Sequence, residues 1–361
     1  MSSFSYLDEK ERVKKRQPHK RTDKKTKSDS VKTIFEKFLE AKKKQNLRNS
    51  TLNQHIFLFK NIETFYATRT DKPFHLNDIT TEFISDYVYW LKNKCVKHEG
   101  HRYKPKNAQT IGLADASIAG RLKYLKAFIN WCMKQDLIKK NPFDKFEGFK
   151  KDKTDIDILT RDEIQNLLKV AKLHSKISYK HFRDYTLLHL LVDCMLRITE
   201  ALLIAPNDID HTNRTILIRS NNAKSRRSRI VPLSDKTYRL LVQLMEENEL
   251  FEGEIDKLIF LSLSGRILDK NNLLRDLRKH AIEAGIKKRF YLHLIRHSAA
   301  THYLSSSGDL ESLRLLLGHA DYRTLLTYIH LADTTVQEKH ANHSFFSSAN
   351  TTSRKRINKR K

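Results

Sequence analysis

Apolar residues recur every three or four positions along most of this chain, a spacing typical of amphipathic α-helices. In the first 145 residues they form four such faces, in segments 31–43, 51–67, 80–94 and 115–138. The predicted inward-facing side chains are Ile34, Phe35, Phe38 and Leu39, then Leu52, Ile56, Phe59, Ile62 and Phe65, and in the fourth segment Ile118, Leu122, Leu125, Phe128 and Ile129. Four amphipathic helices predict a compact helical module.

The helical spacing resumes after a stretch rich in Pro, Gly and charge near residues 142–157, which indicates a linker. Thr160 and Glu163 form a predicted capping box ahead of the next helix. The spacing breaks once, in "RTILIRSNNAKSRRSRIVPL", where β-branched runs flank a polar segment. We interpret this segment as an antiparallel hairpin, with Asn221 and Asn222 supplying positive φ angles at the turn.

The charge of the chain indicates a polyanionic partner. The sequence has 69 Lys and Arg against 42 Asp and Glu, a net charge of +27. No apolar run is long enough for a membrane span, and the charged N-terminus does not resemble a signal peptide. We therefore expect a cytoplasmic, nucleoid-associated protein with no membrane partner. Cys95, Cys132 and Cys194 are predicted to be buried small hydrophobes rather than disulfide or zinc ligands.

Four stretches of the second half place reactive side chains in apolar surroundings. They are "DCMLRITEALLI" with Arg197, "KSRRSRIVPL" with Lys224, "HLIRHSAATHYL" with His293 and Arg296, and "LLGHADYRTLLTY" with His319 and Tyr328. Each has an ordinary explanation when taken singly. Arg197 within an apolar helix pairs with Glu200 or with a phosphate, and a tyrosine after two leucines is commonly a core residue.

Taken together, the order and spacing of these stretches resemble the tyrosine recombinase (phage integrase) family across residues 160–335. The helical module before them is similar to the core-binding domain of that family. The resemblance implies a mainly α fold: an N-terminal four-helix, SAM-like core-binding domain and a mostly helical catalytic domain with a small antiparallel hairpin or sheet. It implies a basic arm at 1–29, core-binding domain at 30–145, linker at 146–158, catalytic domain at 159–345 and basic tail at 346–361.

The resemblance also implies the role of each site residue. Arg197 and Arg296 would grip the scissile phosphate, His293 and His319 would hydrogen-bond it and handle protons, Lys224 would protonate the leaving 5′ oxygen, and Tyr328 would be the nucleophile. The partner would be double-stranded DNA, bound by a homotetramer on synapsed DNA with accessory DNA-bending or directionality proteins. No cofactor and no metal is expected. Lys123 and Lys126 of the fourth helix and the loop 97–106 are candidates for contact with a DNA groove.

Three features depart from the pattern of the family. Cys194 and Met195 replace its usual Thr-Gly, so the turn either shifts Arg197 slightly or uses a backbone angle that needs no glycine. The lysine of the hairpin lacks flanking glycines, and the neighbouring Arg226, Arg227 and Arg229 are interpreted as DNA-phosphate contacts. Tyr322 stands where the family usually has an aliphatic residue and is interpreted as packing.

Three other functions remain open on the sequence alone, one of them a metal-dependent transposase that uses three carboxylates. A type IB topoisomerase would nick and reseal one duplex with similar chemistry. A catalytically silent DNA-binding protein would have the same positive charge but would not cleave DNA, although all six predicted catalytic positions carry residue types that could act in the reaction.

Overall fold

The computed structural model describes residues 30–97, 109–148, 157–222, 227–251, 256–306 and 308–318, together with Tyr322, Leu325, Leu326 and Tyr328. These residues belong to two compact units that divide between residues 154 and 155. Among them, no helix combines the length and apolar character needed to cross a membrane.

The first unit contains four α-helices in its described part. They are α1 Val31–Lys44, α2 Asn49–Ala67, α3 Thr81–Asn93 and α4 Asp115–Lys134, with a short 3-10 helix at Leu76–Asp78. Ser30 and Thr80 cap α1 and α3, because each hydroxyl accepts a bond from a backbone N–H in the first turn. Aromatic rings fill the core: Phe35 stacks on Phe59 with centroids 4.1 Å apart, and the ring of Phe128 meets that of Phe35 edge-on.

The predicted inner face of α2 is wrong at one position. Ile56 is 36% exposed, whereas His55 and Leu58 are buried. The face is rotated because the His55 ring packs edge-on against Phe38 and Tyr124, with centroids 5.0 and 4.8 Å away. The buried position that periodicity predicted for Ile56 is therefore taken by His55, whose ring contacts aromatic side chains.

The second unit surrounds a central helix. Its described helices are α5 Arg161–Ser175, α6 Tyr179–Cys194, α7 Ile198–Ala201, α8 Asp235–Asn248, α9 Lys270–Glu283, α10 Leu292–Ser305 and α11 Leu310–Leu317. Every residue of α6 from Phe182 to Leu191 is buried, as expected of a helix packed on all sides. The predicted capping box at the start of α5 is present, with Thr160 and Glu163 bonded reciprocally.

A three-stranded antiparallel sheet lies in this unit, in the order β1 Ile209–Asp210, β2 Thr215–Ile218 and β3 Arg229–Pro232. β2 and β3 form the predicted hairpin, with Ile216 opposite Val231. The positive φ predicted at Asn221 and Asn222 is wrong: neither is among the described residues with a positive φ. The Asn222 amide instead donates to the Leu203 carbonyl.

The fold class is confirmed, since the described residues are mainly helical with one small antiparallel sheet. All three cysteines are buried and form no disulfide, as predicted.

Candidate active site

The structure describes four of the six predicted site residues: Arg197, His293, Arg296 and Tyr328. Lys224 and His319 lie outside the described residues. The described residues belong to the loop after α6, to α10 and to the segment that follows α11.

Met195 ends α6 in the left-handed conformation, with φ 50° and ψ 33°. Of the two alternatives for this turn, the one with a backbone angle that needs no glycine is excluded: the backbone adopts the left-handed angle and carries a methionine there. The Met195 side chain is 3% exposed and packs in an apolar cluster with Leu317 and Tyr328. The turn places Arg197 in the break between α6 and α7 rather than within a helix.

Arg296 is buried at the centre of the site. Its side chain is among the largest fully buried ones, and its Nη1 and Nη2 donate to the carbonyls of Met195 and Leu317 at 2.7 and 3.0 Å. Burial, followed by the nearby charge of Arg197, lowers its pKa to about 10. The guanidinium is therefore still charged at neutral pH, with its orientation fixed by two carbonyl groups.

Glu200 holds two more arginines. It is 1% exposed, and its carboxylate accepts bonds from Arg197 Nη1 at 2.8 Å and Arg229 Nη2 at 2.7 Å. Burial alone would raise the pKa of this carboxyl, but bonds and charges from Arg229 and Arg197 outweigh it and lower the pKa. Arg229, interpreted above as a DNA-phosphate contact, pairs with Glu200 in this structure, where its side chain is 9% exposed.

The guanidinium groups of Arg197, Arg229 and Arg296 all donate to carbonyls at the C-terminal end of α11. Arg229 Nε donates to Leu316 O at 3.0 Å, and the Leu317 carbonyl accepts from Arg197 and Arg296 at 3.4 and 3.0 Å. The last carbonyls of a helix have no partner within the helix and carry partial negative charge, so they favour cations. The end of α11 thus positions the arginines in one cluster.

Gly318 ends α11 with φ 63°, a conformation that favours glycine. A Cβ at this position would lie 2.8 Å from Arg229 Nη1. The glycine of the "LLGH" motif therefore both ends the helix and makes room for the arginine that pairs with Glu200.

Tyr328 is 3% exposed in the apolar cluster with Met195, Leu317 and Leu325. A phenolate at this position would raise the pKa of Arg296, so the phenol lies within electrostatic range of that guanidinium. Its ring lies 5.4 Å, centroid to centroid, from that of His297. The structure thus brings Arg197, Arg296 and Tyr328 together.

His297 is a residue of the site that the sequence analysis missed. Its ring centroid lies 5.0 Å from that of His293 and 5.4 Å from that of Tyr328. His293 is on the exposed side of α10. Burial and then the charge of Arg296 lower the pKa of His297, so this ring is neutral at pH 7. Its spacing of four residues from His293 on one helix was the available signal.

The interpretation of Tyr322 as a packing residue is wrong. It is 50% exposed, its hydroxyl donates to Glu311, and its ring faces the Arg314 guanidinium at 5.5 Å. Of the two tyrosines in the motif, Tyr328 is the one in the cluster with Met195 and Leu317.

Comparison with known proteins identifies the family. Residues 157–335 match the phage integrase family, and residues 30–151 match the phage integrase SAM-like domain. The tyrosine recombinase XerC of Alcanivorax borkumensis is 30% identical over 221 residues, covering 61% of this chain and 70% of that protein. This chain belongs to the tyrosine recombinase (phage integrase) family.

A second relative supports the assignment, and a solved structure shares the fold. The tyrosine recombinase XerD of Staphylococcus haemolyticus is 28% identical over 229 residues, covering 63% of this chain and 76% of that protein. The structure of the Tn1549 transposon integrase shares the fold, with a TM-score of 0.65 and 18% identity over 87% of this chain and 98% of that one. This tyrosine recombinase is thus a site-specific recombination enzyme, and neither a topoisomerase nor a silent DNA-binding protein is favoured.

Proposed function

We propose that this recombinase cleaves DNA through attack of Tyr328 Oη on the scissile phosphate. The new bond is a 3′-phosphotyrosyl ester, and the bond that breaks releases a 5′ hydroxyl. The observation that carries the proposal is that Tyr328 packs against Met195 and Leu317, the two residues whose carbonyls anchor Arg296. The nucleophile and a fixed cation therefore share one set of neighbours.

Arg197 and Arg296 would bind the nonbridging oxygens of the phosphate. A phosphodiester is anionic and its transition state gathers charge on those oxygens, so planar, permanently charged guanidiniums stabilise it. Preorganised donors of this kind contribute about a hundredfold or more each in rate. The hydrogen bonds of Arg296 to two carbonyls and the ion pair of Arg197 with Glu200 supply that preorganisation.

The proton transfers would involve the remaining residues. A phenol has a pKa of about 10, so nearby cations must favour its phenolate for attack at neutral pH. Lys224 would donate the proton to the leaving 5′ oxygen, and His293 and His319 would hydrogen-bond the phosphate. Attack by another strand's 5′ hydroxyl on the phosphotyrosyl bond reverses the step, releases Tyr328 and rejoins DNA without ATP.

Tyr328 must become accessible for this reaction. It is 3% exposed, whereas a nucleophile must lie within about 3–3.5 Å of the phosphorus that it attacks. DNA binding would therefore shift Tyr328 relative to α10. The structure with Tyr328 buried would then be the resting state, and cleavage would require a second state in which Tyr328 reaches the phosphate.

We assign the DNA contacts to both units. Residues 30–145 would bind the core site, with Lys123 and Lys126 exposed on α4, and residues 159–345 would form the catalytic domain, joined by a linker at 146–158. The basic segments 1–29 and 346–361, which lie outside the described residues, would track phosphates, so affinity should fall steeply with salt. The Tn1549 integrase has been solved in complex with a circular intermediate DNA.

Synapsis of two duplexes would require a homotetramer, with accessory DNA-bending or directionality proteins. Exchange of the segment after Tyr328 between protomers, anchored by Phe345 and Phe346, would join the subunits; these residues lie outside the described part of the chain. DNA binding would also keep the protein with the nucleoid.

The test is a detergent-resistant protein–DNA adduct formed on nicked or supercoiled DNA in the presence of a chelator. Wild type and Tyr322→Phe should form the adduct, and Tyr328→Phe should not. An adduct that persists in Tyr328→Phe, or that wild type forms only without chelator, contradicts the proposal. A strand-exchange assay on two DNAs then distinguishes recombination from resealing of a single duplex.

A further inference from the structure

Three histidines from three helices meet in the second unit. His174 lies in the last turn of α5, His181 in the first turn of α6 and His280 in the last turn of α9. One nitrogen from each ring lies within 4.8 Å of the other two. The rings of His174 and His280 are stacked, with centroids 4.9 Å apart. We call these three residues the histidine cluster.

His280 is the member of the cluster that points to a ligand. Its side chain is 5% exposed, and its buried Nδ1 has no hydrogen-bond partner among the described residues. A buried polar atom without a partner is costly, so such an atom in a native fold calls for an explanation. A bound cation would satisfy it.

The other two rings are oriented by bonds on one nitrogen each. His174 Nε2 lies 2.8 Å from Glu283 Oε2, and His181 Nδ1 lies 2.9 Å from Ser178 Oγ. Metal-binding histidines commonly use their second ring nitrogen in this way, because the bond fixes the ring and its tautomer. Each ring of the cluster therefore keeps one nitrogen outside these bonds.

We propose that the histidine cluster binds one transition-metal ion of the Zn²⁺ class. Imidazole nitrogens suit Zn²⁺, Cu²⁺ and Ni²⁺, and three histidines leave one position of a tetrahedral ion for water. Nitrogens about 2.0–2.1 Å from a tetrahedral ion are about 3.3 Å apart. Coordination would bring the nitrogens closer than the observed separation of up to 4.8 Å, and it would join the ends of α5, α6 and α9.

The ion would stabilise the domain and take no part in strand cleavage. His181 and Met195 lie at opposite ends of α6, which separates them by about 21 Å at 1.5 Å per residue. The three ligands come together only in the folded chain, so binding adds to the stability of the native state. Loss of the ion should therefore lower thermal stability while leaving DNA cleavage below the unfolding temperature intact.

The experiment is thermal unfolding of the full-length chain, free of any polyhistidine tag, with and without added Zn²⁺ after chelator treatment. The variants are His280→Ala and the half-buried His181→Ala, and the matched control is His211→Ala, an exposed histidine bonded to Tyr238. Zn²⁺ should raise the midpoint of wild type and His211→Ala by several degrees. It should leave both cluster variants unchanged.

A Co²⁺ titration followed by visible absorption checks the ligand set independently. Wild type should show one site with nitrogen ligands, and affinity should fall at least tenfold in His181→Ala. The proposal is overturned when Zn²⁺ fails to raise the wild-type midpoint, or when either cluster variant keeps the wild-type rise. DNA cleavage in chelator is scored separately, so a failure of this site leaves the proposed role of Tyr328 standing.

Discussion

The backbone at Met195 gives the most specific prediction of stability. The left-handed conformation costs a residue with a Cβ about 1–2 kcal/mol, and glycine avoids this cost. Met195→Gly and Met195→Ala both remove a buried side chain, and loss of buried Met side chains typically costs about 2–5 kcal/mol. The two variants differ mainly in the backbone cost. We therefore expect Met195→Gly to be more stable than Met195→Ala by about 1 kcal/mol.

The matched control is Met245, a helical residue three positions before the end of α8. There the order should reverse, because glycine in a helix interior is about 0.5–1 kcal/mol less favourable than alanine. Urea denaturation and thermal unfolding of the four variants measure both differences. In a domain of this size, each kcal/mol of unfolding free energy shifts the thermal midpoint by about 2–4 °C. Equal or greater stability of Met195→Ala over Met195→Gly would refute the assigned strain.

Further predictions concern the residues that hold the arginines of the site. Glu200→Gln should lower the free energy of unfolding by about 3–5 kcal/mol, since it leaves two partly buried guanidiniums without their buried carboxylate, whereas the exposed Glu246→Gln should change it by under about 0.5 kcal/mol. The pKa of Glu200 is lowered in the folded protein, so its contribution to stability is present above its unfolded pKa of about 4.3 and is lost as pH falls through the folded pKa. The free energies of unfolding of wild type and Glu200→Gln should therefore converge in acid. A difference between them that stays constant down to pH 2 contradicts this. Gly318→Ala should cost about 1–2 kcal/mol from backbone strain and more from displacement of Arg229. That second part should vanish in an Arg229→Ala background, and equal costs in both backgrounds would exclude the clash.

The helices and the hairpin were predictable from sequence because both depend on short-range periodicity. The inner face of α2 was not, since His55 is buried through contacts with rings on α1 and α4. The left-handed conformation of Met195 also could not be predicted from the sequence. A methionine carries no local signal for a positive φ, and only the packing of its side chain against Leu317 and Tyr328 explains why the strain is tolerated.

The polar side chains of the site were predictable as residues but not as contacts. Glu200 was expected to pair with Arg197, yet nothing local indicated that Arg229, from a strand, binds the same carboxylate. The bonds of Arg296 to two carbonyls depend on the end of α11 lying beside α10. The predictions for Lys224 and His319 remain predictions.

The attachment point of the DNA tests the central claim most directly. Trypsin cleavage after Arg314, Arg323 and Lys339 places Tyr322 in peptide 315–323 and Tyr328 in peptide 324–339. Mass spectrometry of the nuclease-trimmed, trypsin-digested adduct should find the nucleotide on peptide 324–339, joined at Tyr328 through a 3′ phosphate. A nucleotide on peptide 315–323, or attachment through a 5′ phosphate, would contradict the account.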